Sequence, residues 1–253
     1  MLARARVVVE RGPGGRSVVR ELRSQPPLAL LPQRGAAAGR SPVATVHVVG
    51  SAAAPLGGDE LELRVVVGPG ARLRLRGVAA TLALPGPTGG GSRADVRVEI
   101  ADGGALEYLP EPTVVTARAC HEARLRAGLA AGAALRAREI LVLGRHDERP
   151  GRLGSALSVE RAGRPLLRQR LDIGEPALAA SPALFAGRRV LATELLVAGH
   201  DSVAPAGGDW WSIAPLAPGA CLSTALACDA VTALRWLDEA RAAHPAWSGD
   251  RAP

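Results

Sequence analysis

One pattern constrains this chain more than any other. Apolar and polar residues alternate over short segments, a tight turn follows, and the alternation resumes. Leu61-Glu62-Leu63-Arg64-Val65 leads into Gly68-Pro69-Gly70 and then Arg72-Leu73-Arg74-Leu75-Arg76. Residues 95–100 lead into Asp102-Gly103-Gly104 and then 106–109. Residues 125–129 lead into Gly132 and then 135–138, and residues 157–160 into Ala162-Gly163 and then Leu166-Leu167. An earlier copy sits at Gly12-Pro13-Gly14-Gly15, between Val7-Val8-Val9 and Val18-Val19. Period two puts successive side chains on opposite faces of a strand, and the turns between read as hairpins. Gly70, Gly103, Gly132 and Gly163 follow one another at about 30-residue intervals. Units at near-constant spacing predict layers that stack on one another. A β-sandwich also spaces its strands evenly, so the repeat leaves both architectures open.

The C-terminal part changes character. Residues 229–243 are good helix formers, with Val231, Leu234, Leu237 and Ala240 at three-residue steps, Asp229 as N-cap and Pro245 beyond the end. That stripe is expected to pack on the protein's own sheet. Residues 174–186, uncharged after Glu175 and broken by two prolines, read as a loop. No linker divides the chain. The expected architecture is therefore mainly β, with stacked strand layers of β-helix or solenoid-like form, one or two C-terminal helices, and a single domain over residues 1–253.

Composition excludes several kinds of chemistry. All 31 Lys-plus-Arg positions are Arg, so a Walker A lysine, a Schiff-base lysine and a pyridoxal-phosphate lysine are all ruled out. The net charge of +7 invites a nucleic-acid reading. Yet there is no basic run beyond alternating Arg, and four Trp, one Tyr and one Phe leave little surface for stacking bases. Three cysteines, Cys120, Cys221 and Cys228, have no framework spacing. The first dozen residues carry Arg4, Arg6, Glu10 and Arg11, unlike a signal peptide. The uncharged stretches 41–58 and 210–228 each contain two prolines and glycine and do not read as membrane spans. The chain is expected to be soluble and cytoplasmic, with no nucleic-acid or membrane partner.

Catalytic and metal signatures are sparse. His200-Asp201-Ser202 has triad residue types, but adjacent residues of an extended chain point apart. Among His47, His121, His146, His200 and His244 no pair has metal-ligand spacing. Cys120-His121 would face opposite sides of a strand. Cys221 and Cys228 could share a helix face, yet two thiols make an incomplete site; the thiols are expected to be buried. Two carboxylates stand out. Glu139 shares a strand face with Leu141 and Leu143, so either that strand end is exposed or an acid points inward. Asp59 follows Gly57-Gly58, where a turn residue bonding its own backbone is the simplest reading. Buried acids need partners, and a passing cation is one kind.

Several blocks together resemble one family. Pro55-Leu56-Gly57-Gly58-Asp59-Glu60-Leu61, Gly68-Pro69-Gly70-Ala71, Leu106-Glu107-Tyr108-Leu109-Pro110, and Leu143-Gly144-Arg145 with Glu148 are similar to the urease accessory protein UreD (UreH). Order and spacing agree from residue 1 to about Ile173, and the match around Arg235-Trp236 is looser. The resemblance implies a layered, helix-like β fold with a few helices and no enzymatic activity. It implies binding to the urease apoprotein and to UreF, which recruits the GTPase UreG, so that nickel reaches the urease active site. It also implies an internal passage for transient Ni²⁺, lined or supported by Asp59 and Glu139, with no tightly bound cofactor. A weakly binding conduit suits sparse carboxylates, since a His/Cys cage would trap the ion. The chain departs from the family pattern at residues 78–85, which lack Lys and Tyr, and at Gln169, where some members carry an acid. A non-conducting adaptor and an unrelated stacked-β binding module are the alternatives. Trp210-Trp211 are open to two readings, partner contact or core.

Overall fold

In the computed structural model the residues described are 1–87, 89–174, 184–199, 201 and 203–243. The chain passes back and forth between two facing sheets. Strands β1 (Leu2–Arg11) and β2 (Ser17–Arg23) lie in the first sheet. β3 (Leu28–Pro32) and β4 (Ala44–Gly50), with the short helix α1 (Ala36–Arg40) between them, lie in the second. Three passes then repeat the move from first to second sheet. They are β5 (Glu60–Val67) to β6 (Arg72–Gly77), β8 (Ser92–Ile100) to β9 (Ala105–Leu109), and β11 (Cys120–Leu129) to β12 (Ala134–Leu143). Short strands β7 (Thr81–Ala83) and β10 (Thr113–Val115) pair with each other, and β10 also joins β12. β13 (Arg152–Arg161) and β14 (Arg164–Ile173) finish the first sheet. β15 (Val190–Val197), β16 (Ala206–Gly207), β17 (Trp211–Ala217) and β18 (Ala220–Ala227) finish the second, and helix α2 spans Ala230–Ala242.

Each pass pairs in parallel with the pass before it. In the first sheet Leu63 sits beside Val96, Val96 beside Leu125, and Leu125 beside Leu157. In the second, Leu73 sits beside Leu106 and Leu106 beside Leu135. Like residues therefore stack on like residues at the repeat interval, and the arrangement is a stacked, β-solenoid-like one. This is the expected fold class: α2 is the C-terminal helix, and a further short helix among the described residues, α1, lies between β3 and β4.

The turns do two different jobs, which corrects the uniform hairpin reading. β1–β2 and β13–β14 are antiparallel hairpins. The turns at Gly70, Gly103 and Gly132 instead carry the chain from one sheet to the other, so the strands they join belong to different ladders. Gly70 (φ +61°) and Gly103 (φ +65°) take the left-handed backbone those corners require.

Alternation decides which side chains meet between the sheets. Val65 and Val67 of β5, Leu73 and Leu75 of β6, Leu106 of β9 and Leu135 of β12 form the main core. A second apolar cluster holds Leu141 and Leu143 of β12, Leu153 of β13, Ile173 of β14 and Phe185. On the outer face of the second sheet α2 packs through Ala233, Leu237 and Ala240. Asp229 caps it, accepting the Thr232 backbone N–H at 2.8 Å. The helix packs on its own sheet as expected, but on a rotated stripe, since Val231 is 78% exposed.

Candidate functional site

The inward positions of β12 show how the site arises. Leu135 belongs to the main core, Ala137 and Glu139 face a cavity, and Leu141 and Leu143 belong to the second cluster. β13 repeats the sequence: Val159 in the core, Leu157 and Ser155 at the cavity, Leu153 in the second cluster. A gap of about 220 Å³, walled mostly by apolar surface with a few polar side chains set into it, thus opens between the two sheets. Its polar wall includes Glu139, Ser155, Tyr108, Thr193 and His121.

Glu139 reaches across this gap. It stems from the second sheet, and the Ser155 hydroxyl of the first sheet lies 2.9 and 2.8 Å from its two carboxylate oxygens. Burial pushes its carboxyl above the usual range, and the Ser155 hydrogen bond offsets only part of that. Tyr108 is raised as well, first by burial and then by the Glu139 charge. Thr193 stands opposite Glu139 in the β12–β15 ladder. Of the two readings of Glu139, an exposed strand end or an inward-pointing acid, the inward-pointing acid is the one observed.

His121, weighed in the sequence only as a neighbour of Cys120, also lines the cavity. It is buried, its Nδ1 lies 2.9 Å from the Ser92 hydroxyl, and Ser92 is its neighbour in the β8–β11 ladder. Burial pulls its imidazole down to about 4, against a smaller upward pull from Glu122. The same residue also borders an open depression that includes Glu122, Cys120, Arg170 and Asp172.

Asp59 is placed elsewhere. It is 5% exposed, and Oδ2 accepts the Leu56 backbone N–H at 2.8 Å while Oδ1 lies 3.0 Å from the Met1 amine. It does not line the cavity that holds Glu139. The glycines before it have a structural reason. A Cβ on Gly57 would fall 2.6 Å from Gly86 N and Gly90 O, so only glycine permits that approach of two backbones.

Other candidates separate. Cys120 and Cys228 are exposed and only Cys221 is buried, contrary to the expected burial of all three. Cys221 lies within β18 and Cys228 follows its end, so no helix joins them. No group of three or more His, Cys, Asp or Glu able to hold a metal occurs among the described residues. Trp210 stacks on Trp236 with centroids 6.4 Å apart, and the Arg188 guanidinium lies 3.8 Å from the Trp210 ring centre. Trp211 packs against the apolar clusters beneath α2. His200, Ser202, most of the 174–186 segment and the residues after Ala243 lie outside the described residues. No helix among the described residues is long and apolar enough to cross a membrane.

A β-solenoid-like stack whose interior offers an isolated carboxylate and hydroxyls, rather than a ligand cage, defines the class: a layered β protein with a cavity between its sheets. The family described as UreD urease accessory protein matches residues 2–253. The urease accessory protein UreD 1 of Saccharopolyspora erythraea is 59% identical, over 97% of this chain and 96% of that protein. UreD of Frankia alni is 42% identical over 93% of this chain and 90% of its own length. UreD of Streptomyces coelicolor is 40% identical over 93% and 94%. The chain belongs to the UreD family of urease accessory proteins.

Proposed function

We propose that this chain is a non-catalytic maturation factor that bridges urease apoprotein and a UreF–UreG GTPase complex and helps nickel reach the urease active site. The observation that carries the reading is Glu139, a carboxylate held in a mostly apolar cavity by one hydroxyl, with no cation in contact among the described residues. An ion in transit needs such a donor. Lone oxygen ligands with water bind Ni²⁺ weakly enough to release it, whereas clustered thiolates and imidazoles would hold it. Nickel is then cargo and not a resident cofactor, the GTP chemistry belongs to the partner, and the work is done in the cytoplasm.

Asp59 supports the adaptor alternative for its own position. Both its oxygens are already engaged, one by a backbone N–H and one by an amine. It fixes the start of β5, and any part in an ion path requires the Met1 amine to yield.

The test is co-expression of the chain with UreF, UreG and urease apoprotein, followed by nickel counting on purified urease. Omitting the chain is expected to leave urease nickel-poor; normal filling overturns the maturation reading. Glu139→Ala is expected to cut urease nickel while the accessory complex still assembles. Normal nickel in the Asp59→Ala/Glu139→Ala chain would leave only the adaptor.

A further inference from the structure

The outer face of the second sheet carries a groove of about 950 Å³ between α2 and the strands β3, β4 and β6. Its apolar contacts are unusual for a free surface. Leu31 is 54% and Val78 58% exposed, and Leu234 of α2 borders the same groove. Exposed aliphatic side chains gathered in one concavity mark a contact surface more often than a solvated one.

The charges there are unequally satisfied. Arg136 is committed to the buried acids Glu107 and Glu194, at 3.5 and 3.0 Å, and Arg241 to Asp238 at 2.7 Å. Arg76 and Arg138 have no carboxylate within ion-pair distance among the described residues. Arg138 is half-buried, its guanidinium makes one 3.4 Å bond to the Pro110 carbonyl, and its Nε is buried without a partner. Burial draws its pKa below the ordinary arginine value, with Arg136 adding to that and Glu194, Glu111 and Asp238 opposing it. A guanidinium taken partly out of water without a carboxylate contact gains most from an incoming anion. His47 and Glu111 add to the polar lining, and no Phe, Tyr or Trp borders the groove.

We propose that this groove binds an acidic amphipathic segment of a partner protein, with apolar side chains seated on Leu31, Val78 and Leu234 and carboxylates paired to Arg76 and Arg138. Charge complementarity selects the occupant. A basic segment could pair only with Glu111 and would face the two unpaired guanidinium groups of Arg76 and Arg138, and a purely apolar one would leave both desolvated and unpaired.

The full chain would be titrated with two synthetic helical peptides of equal length, one built from Leu and Glu and the other from Leu and Lys, followed by fluorescence anisotropy. The Leu/Glu peptide is expected to bind at least about tenfold more tightly, with added salt weakening it. Arg76→Gln/Arg138→Gln is expected to lose about tenfold in affinity. Hydrogen-exchange protection is expected on β4, β6 and α2. Arg76→Gln alone alters an exposed side chain, so its smaller loss reads binding without risk to the fold. Equal binding of the two peptides, or unchanged binding by Arg76→Gln and by the double variant, overturns the proposal. So does a concentration-dependent dimer abolished by Val78→Asp, which would assign the groove to a second copy of this chain. None of these outcomes bears on urease nickel counts, so this inference and the maturation reading fail separately.

Discussion

His121→Asn keeps a polar atom within reach of the Ser92 hydroxyl but removes a group that must stay neutral in the folded chain. Burial holds the imidazole at about 4, whereas the unfolded chain titrates near 6.5. Between those values the unfolded chain takes up a proton that the folded one refuses, so stability falls as pH drops. His121's favourable share is complete above 6.5 and is lost progressively down to about 4. At about 1.36 kcal/mol per pKa unit, the gap amounts to roughly 3 kcal/mol. That is a large fraction of the 5–15 kcal/mol that typically separates folded from unfolded. Urea unfolding of the parent and the variant would be compared from above pH 6.5 down to about 4. The stability difference between the two chains should change by roughly 3 kcal/mol across that series, the variant losing less in acid. A constant difference, or an imidazole NMR titration centred near 6.5, would refute burial as the controlling term.

The carboxylate opposite behaves with the reverse sign. Glu139 is raised, so its contribution is greatest below the ordinary carboxylate range and fades as pH climbs through the folded value. Glu139→Gln, which keeps an acceptor for Ser155, should therefore raise the melting temperature at neutral pH and make little difference in acid; a lower melting temperature at neutral pH would sink that account. Arg136→Met strands Glu194, 3% exposed at the side chain, while Glu107 keeps Arg74, and should cost about 3–5 kcal/mol in urea unfolding. A loss below about 1 kcal/mol would mean Glu194 finds another partner or water.

The stacked strands were legible because alternation and spacing are local properties. What the turns connect was not. Gly68-Pro69-Gly70 and Ala162-Gly163 both satisfy a reversal, and the first changes sheet while the second closes a hairpin. The difference lies in what each following strand finds to pair with, which is set elsewhere in the chain. Glu139 was legible from its parity with Leu141 and Leu143. The same parity marks His121, which alternates with Ala123, Leu125 and Ala127 on β11. It was read instead beside Cys120, its neighbour in sequence, when its partner Ser92 lies one pass earlier. Val231 was misplaced for a related reason: three-residue steps drift around a helix, and the sheet meets the stripe Ala233, Leu237 and Ala240.

The two hairpins at the limits of the first sheet carry a consequence for how far the stack can grow. Parallel passes repeat without an inherent stopping point, and a bare final strand would template another chain. Here β2 and β14 run antiparallel to the ladders they complete, so the next parallel pass meets the wrong strand direction. Exposed arginines stud both borders, Arg20 and Arg23 on β2 and Arg164, Arg168 and Arg170 on β14. Four of them pair with neighbouring acids, Arg20 with Glu10, Arg23 with Glu21, Arg168 with Glu160 and Arg170 with Asp172, and such charged side chains blunt an edge against further pairing. The number of layers is thereby fixed by the protein's own margins, and a repeat that could propagate as a fibre stays a finite object.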